Sequence, residues 1–107
     1  SHNSSSQDDV HYLELKMLIN EKEVTINGSG NGPIDSLMNG LSKELGDVIK
    51  VSDYHQSAIS SGSDAKAAAY IELEQDGKTS WGVGINPNTT RASFEAIIVG
   101  LSKLSNN

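Results

Sequence analysis

The chain has 107 residues, a hydrophobic fraction of 36% and a formal net charge of −6, which suits one small domain with a modest core. Its 8 basic residues are scattered and outnumbered by 14 acidic ones, which argues against binding to nucleic acid or to an anionic membrane surface. The absence of cysteine excludes disulfides and thiolate chemistry and favours the cytoplasm, or an organelle stroma or matrix in a eukaryote.

The chain opens with a polar stretch of low complexity. Residues 1–11 are therefore interpreted as a disordered leader or an expression scar, with the ordered domain at 12–104 and a frayed tail at 105–107. Alternation of apolar and polar residues over 12–20 predicts a half-buried strand, with Leu13 and Leu15 on one face. A second strand is predicted over 24–28.

From Pro33 the apolar period changes to that of a helix. One stripe is formed by Ile34, Leu37, Met38, Leu41 and Leu45. Pro33 suits the first helical position, Asp35 places a negative charge in the first turn, and Gly46 predicts the end of the helix.

The second half repeats this scheme. Strands are predicted over 48–55, 67–74 and 79–85, with a flexible loop at 60–64. An Asp-Gly pair at 76–77 predicts a tight hairpin. Trp81, Val83 and Ile85 share one face of the last strand. A second helix is predicted from about Thr90, with plausible caps at 88–90 and an apolar stripe of Phe94, Ile97, Ile98 and Leu101.

The predicted order is β-β-α-β-β-β-α, and the two halves resemble each other. Both contain a G-x-G strand end, a proline, a helix and the tetrapeptide GLSK. This indicates an α+β fold of two β-rich units, each closed by one helix that lies on one face of antiparallel strands. Because the apolar stripes are short and the core is thin, we expect the domain to be a homodimer.

The glycine-rich segment GSGNGPIDSL, residues 28–37, raises the question of a ligand. A Walker loop is excluded because no Lys-Ser or Lys-Thr pair follows the glycines, and the G-x-G-x-G spacing differs from a dinucleotide fingerprint. The spacing of the histidines and carboxylates suggests neither a catalytic set nor a metal site, so we expect no catalytic residues, no metal and no cofactor here.

A small zwitterion fits the same segment better. A helix N-terminus has free N–H groups that suit a carboxylate, and Asp35 is placed to meet an ammonium group. The small residues Ala58, Ala65 and Ala67 would leave room for an apolar side chain, which suits a branched aliphatic amino acid. The residues alone leave open the alternative of a plain strand-to-helix turn.

Three segments resemble the C-terminal regulatory domain of 2-isopropylmalate synthases, with citramalate and homocitrate-type acyltransferases as close neighbours. They are GSGNGPIDSL, DYHQSAISSGSDAKAAAYIEL and DGKTSWGVGINPNTTRASFEAIIVGL, and the resemblance covers residues 12–104. It implies that this chain is the sensor module of a longer acyltransferase. The catalytic TIM barrel of that enzyme, absent here, uses a divalent metal and condenses acetyl-CoA with 2-oxoisovalerate.

The resemblance also implies that the module dimerises and binds leucine, which inhibits the barrel. The effector residues it implies are Gly30, Asn31, Gly32, Ile34, Asp35, Val51, Tyr54, Ala58, Ala65 and Ala67. Two alternatives stay open: an isoleucine sensor of a citramalate synthase, and a dimerisation module without a ligand.

Overall fold

The computed structural model of the chain describes residues 2–7, 9–19, 21–59 and 62–105. The strands in this part are β1 (His2–Gln7), β2 (Val10–Ile19), β3 (Lys22–Gly30), β4 (Lys50–Ala58), β5 (Ala67–Gln75) and β6 (Lys78–Asn86). The helices are α1 (Pro33–Leu45) and α2 (Thr89–Ser105), and Gly62–Asp64 form a single 3₁₀ turn. The chain divides into two compact units, Ser1–Val48 and Ile49–Asn107.

The first unit is the antiparallel sheet β1-β2-β3 with α1 against one face. The alternation in β2 buries Leu13 and Leu15, and Ile26 of β3 joins them. Leu37 and Leu41 of the predicted helical stripe are fully buried. These contacts between alternate strand residues and one helix face supply the apolar burial that stabilises the unit.

The beginning of the chain differs from the sequence-based expectation of a disordered leader over 1–11. β1 pairs with β2 from His2 opposite Leu15 to Gln7 opposite Val10, so a further strand precedes the predicted order. Backbone hydrogen bonds make this pairing, and they require no apolar side chain. At the other end Ser105 closes α2, whereas 1, 8, 106 and 107 lie outside the described residues.

The second unit is the antiparallel sheet β4-β5-β6 with α2 against one face. Ala69, Ile71 and Leu73 are fully buried, as their alternation predicts, and Ile97 of α2 is buried with them. The predicted hairpin is confirmed, because Asp76 and Gly77 have φ of 53° and 78°. β4 begins two residues later than predicted and runs to Ala58, with a register irregularity after Val51.

Each helix lies directly on the backbone of the strand that precedes it. A Cβ atom added to Gly28 would collide with the carbonyl oxygen of Ser36, and one added to Gly82 would collide with that of Ala96. The predicted likeness of the two halves is therefore confirmed. In each unit a glycine of the last strand lets the following helix approach the strand backbone closely.

The three large apolar residues of β6 face away from α2. Trp81, Val83 and Ile85 share one face, as predicted, but they are 38%, 42% and 50% exposed. Gly82 and Gly84 occupy the alternate positions, against the backbone of α2. The helix therefore packs on the small residues of β6, which leaves the large ones on the outward face.

Neither α1 nor α2, the helices of the described residues, is long and apolar enough to cross a membrane.

Candidate functional site

The ten residues predicted to bind an effector fall into two groups, one in each unit. The first group lies where β3 ends and α1 begins, and it consists of Gly30, Asn31, Gly32, Ile34 and Asp35. The second group lies on β4, on the segment before β5 and at the start of β5, and it consists of Val51, Tyr54, Ala58, Ala65 and Ala67. That all ten contact one ligand stays a prediction.

The first group forms the N-terminus of α1. Gly32 is the N-cap residue, with extended backbone angles of φ −169° and ψ −176° and no side-chain cap. Its carbonyl oxygen accepts the N–H of Ser36 at 2.9 Å. The next residue is Pro33, which has no N–H, so the amides of Ile34 and Asp35 supply the partial positive charge of the helix end.

Asp35 has a structural contact of its own. Its Oδ2 accepts the backbone N–H of Asn31 at 2.9 Å, which closes the turn between strand and helix as an acidic residue of a capping motif does. A Cβ on Gly30 would run into this carboxylate. Gly30 and Asp35 therefore fix the turn together, and the exposed carboxylate adds a negative charge beside the helix N-terminus.

The second group contains a groove with apolar walls. It has a volume of about 310 Å³ and is lined by Gln56, Ser57, Ala58, Ala65, Lys66, Ala67, Pro87 and Thr89. Ala58 pairs with Ala67 in the β4–β5 register, and the N–H of Ile59 donates to the carbonyl oxygen of Lys66 at 3.1 Å. This pairing brings three of the predicted residues together at one end of the sheet.

Tyr54 lies on the side of β4 that faces α2. Its hydroxyl is 2.8 Å from Oγ of Ser93, and that Oγ lies 3.1 Å from the carbonyl oxygen of Thr89, to which it donates. Because the only hydroxyl proton of Ser93 is committed to this carbonyl, the Tyr54 hydroxyl is the donor of the other bond. Tyr54 thereby connects β4 to the first turn of α2.

Val51 does not lie at this groove, which we call the alanine groove after Ala58, Ala65 and Ala67. It pairs with Leu73 at the beginning of β4. Six strand residues lie between it and Ala58, so the two residues are about 23 Å apart at the usual rise of a strand. Neither Val51 nor Tyr54 lines the groove. Within the second unit the structure therefore brings together the three alanines but not all five predicted residues.

Several groove residues were missed by the sequence analysis. Gln56 lies 3.4 Å from the carbonyl oxygen of Thr89 through its Nε2, and Pro87 completes the wall. The signal that would have found them is the strand register, because pairing Ala58 with Ala67 also aligns their neighbours. The predicted cap is confirmed at Asn88, whose Oδ1 accepts the N–H of Arg91 at 2.9 Å.

His11 and His55 have local partners. Ser36 donates its hydroxyl to the His11 carbonyl at 3.0 Å, so Nδ1 of His11, 3.2 Å from the same Oγ, is a donor. Nε2 of His55 lies 3.3 Å from Oδ2 of Asp53, and its ring stacks on Trp81. The described residues contain no group of three or more histidine or acidic side chains placed to hold a metal.

Comparison with known proteins gives consistent results. Residues 2–105 match the family model of the LeuA allosteric (dimerisation) domain. The 2-isopropylmalate synthase of Mycobacterium ulcerans is 42% identical over 93 residues, which is 87% of this chain and 16% of that protein. Those of Parafrankia sp. and Corynebacterium glutamicum are 40% and 37% identical, over 95% and 94% of this chain and 17% and 16% of the relative. The chain thus spans about a sixth of the length of these relatives.

Proposed function

Since the chain belongs to the family of LeuA allosteric (dimerisation) domains, we propose that it is the regulatory module of a 2-isopropylmalate synthase. In this proposal it binds leucine as the feedback inhibitor and joins two copies of the enzyme, which acts in the cytoplasm. The observation that carries the proposal is the match over 2–105, together with the three relatives described above, which bear the name of this synthase. Catalysis would belong to a barrel outside these 107 residues.

The alanine groove supports a branched aliphatic ligand. Small-molecule sites have volumes of ~300–1,000 Å³ and are mostly apolar with a few polar groups, and the groove of about 310 Å³ lies at the lower end of that range. Full burial of a leucine side chain contributes roughly 1.5–3 kcal/mol. Methyl side chains on Ala58, Ala65 and Ala67 leave the space that such a group would fill.

The N-terminus of α1 supports recognition of the charged end of an amino acid. Its unpaired first-turn amides suit a carboxylate, and the exposed carboxylate of Asp35 suits an ammonium group. Asp35 already accepts one hydrogen bond from Asn31 through Oδ2, so its orientation is fixed before any ligand arrives. Such preorganisation lowers the entropic cost of binding.

Calorimetry and thermal melting of the 107-residue chain test the proposal directly. L-leucine is expected to release or absorb heat and to raise the melting temperature, since a ligand at 100 times its Kd stabilises the folded state by about 2.7 kcal/mol. D-leucine is the control and should do neither. Preference for L-isoleucine would indicate the citramalate synthase alternative, and no response to any branched-chain amino acid would indicate a dimerisation module without a ligand.

Two variants test the two groups separately. Ala65 is exposed, so Ala65→Leu should fill the groove without disturbing the core, and Ser63→Leu on the adjacent 3₁₀ turn is the matched control. A Cβ on Gly32 meets nothing within 4 Å, so Gly32→Ser should keep the fold. The added side chain would reduce the space that a ligand has beside the first-turn amides of α1. Leucine binding of both Ala65→Leu and Gly32→Ser at the unmodified affinity would show that these groups do not bind the effector.

A further inference from the structure

We propose that Asn31 is a site of spontaneous deamidation, at which the side-chain amide is replaced by a carboxylate while the chain is folded. The sequence contains three Asn-Gly pairs, at 27–28, 31–32 and 39–40. Glycine is the following residue that hinders the reaction least, because it has no Cβ. Of these three pairs, the one at 31–32 has the backbone freedom that the reaction requires. The modification goes beyond the proposed function and does not depend on it.

The reaction joins the asparagine side chain to the backbone of the next residue. The backbone nitrogen of Gly32 attacks Cγ of Asn31 and forms a succinimide ring. The bond from Cγ to Nδ2 breaks, and the amide leaves as ammonia together with the proton of the Gly32 N–H. Water then adds to either carbonyl carbon of the ring and opens it, which leaves aspartate or isoaspartate at position 31. Water is the only co-reactant.

The backbone at Asn31 and Gly32 is free to make the rotation that ring closure needs. The two residues form the bend between the end of β3 and the start of α1. Asn31 is exposed, and a Cβ built on Gly32 meets nothing within 4 Å, so there is open space for the ring. Asp35 accepts the N–H of Asn31, which is not one of the reacting groups. In the described part of the chain, neither the Asn31 amide group nor the Gly32 N–H has a hydrogen-bond partner.

The pair at 27–28 is enclosed by a strand and a helix. Asn27 lies opposite Glu14 and Gly28 lies opposite Leu13 in the β2–β3 register. On the face towards α1, a Cβ built on Gly28 would collide with the carbonyl oxygen of Ser36. A rotation that brings the Gly28 nitrogen onto Cγ of Asn27 would therefore break the contacts of this strand with β2 and with α1.

The pair at 39–40 is held within α1. The N–H of Gly40 belongs to the hydrogen-bond pattern of the helix, and a Cβ built on Gly40 would lie 2.6 Å from Cγ2 of Ile26. Nδ2 of Asn39 donates to the carbonyl oxygen of Ser29 at 2.8 Å, so the amide that would leave is itself bonded. Asn27, Asn31 and Asn39 are all exposed. Backbone freedom, rather than exposure, therefore distinguishes Asn31.

Mass spectrometry of the 107-residue chain, aged in mildly alkaline buffer, tests the inference. Deamidation raises the mass, and tandem fragmentation assigns the position, because all three asparagines lie on the tryptic peptide between Lys22 and Lys43. Asn27 and Asn39 are expected to react at least about 30-fold more slowly than Asn31, which corresponds to a local opening that costs about 2 kcal/mol. In the chain unfolded by urea all three should react at similar rates, which shows that the assay detects each of them.

Two variants test the reacting groups, and circular dichroism checks that both fold. Asn31→Gln should lose nearly all the mass gain of the folded chain, because the longer side chain closes a larger ring far more slowly. Gly32→Ser should also slow the reaction, because its Cβ hinders the attack, and the extended backbone at this position accepts a side chain. Equal rates at the three asparagines of the folded chain would overturn the inference. A folded chain that keeps its mass while the unfolded chain is converted would overturn it as well.

The modification also has a consequence for effector binding, and this consequence rests on the proposed function. The product adds a carboxylate beside Asp35, and isoaspartate lengthens the main chain before α1, so both disfavour a ligand carboxylate at this helix end. The aged chain is expected to bind L-leucine about five-fold more weakly, which corresponds to ~1 kcal/mol for a nearby like charge in water. Aged and fresh Asn31→Gln should match each other.

The outcomes of the leucine experiment are separate from those of mass spectrometry. Equal affinities of the fresh and the aged chain would overturn the consequence for the effector. No binding by the fresh chain would overturn the proposed function. In either case the rate of mass gain at Asn31, compared with that at Asn27 and Asn39, decides whether the modification site is correct.

Discussion

The close approach of α2 to β6 makes a specific prediction for Gly82→Ala. The added methyl would collide with the carbonyl oxygen of Ala96 and would lie 2.6 Å from the backbone nitrogen of Gly100. Both are backbone atoms in the middle of a helix, so no side-chain rotation relieves the contact. The helix must move away from the sheet, which loosens its contacts with the buried residues of β5.

The expected loss follows from two opposing effects. Overpacking of a close contact costs typically 1–3 kcal/mol, whereas replacing glycine by alanine stabilises by roughly 0.4–1 kcal/mol through the unfolded chain. The collision involves backbone rather than a flexible side chain, so overpacking dominates. We expect a net destabilisation of about 1–2 kcal/mol, which corresponds to a melting temperature lower by about 4–8 °C per kcal/mol.

Urea unfolding followed by far-UV circular dichroism measures this loss. Gly32→Ser is the matched control, because its Cβ meets no atom within 4 Å and its backbone is extended, and serine is a favourable N-cap residue. The control should be as stable as the unmodified chain or slightly more stable. If Gly82→Ala unfolds at the same urea concentration as the control, the proposed backbone contact between β6 and α2 is wrong.

Three further substitutions test other parts of the structure by the same unfolding assay. Ser36→Ala should cost about 1–3 kcal/mol, because the buried hydroxyl that donates to the His11 carbonyl is lost; no loss would contradict this bond. Leu73→Ala should cost about 2–5 kcal/mol, because this fully buried side chain leaves a cavity, and a loss below 1 kcal/mol would contradict its place in the core. Tyr54→Phe should cost roughly 0.5–1.5 kcal/mol, because it removes only the bond to Ser93, and a stabilised variant would contradict that bond.

The sequence predicted those elements whose side chains carry a strong periodic signal. The helical stripe from Pro33, the alternation around Ile71 and the Asp-Gly turn each correspond to an observed element. β1 was missed because its residues are polar and its pairing depends on backbone hydrogen bonds. The bounds of β4 were shifted because a register irregularity after Val51 interrupts its alternation.

The candidate site was predicted in part, for similar reasons. Ala58, Ala65 and Ala67 stand out in the sequence as a cluster of small residues, and the structure brings them to one groove. The contributions of Gln56 and Pro87 depend on strand register and on the start of α2, which no local pattern encodes. The bond from the Asn31 amide to Asp35 was not predicted either, because it depends on the backbone path between strand and helix.

The glycine contacts in the two units have a mechanical consequence. Where a helix rests on a strand through layers of side chains, rotamer changes can absorb a small push at the helix end. At Gly28 and Gly82 main chain meets main chain, so little in the contact can yield. A displacement of the start of α1 or α2 would therefore displace the neighbouring strand as well, and helix and strand would move together as one rigid unit.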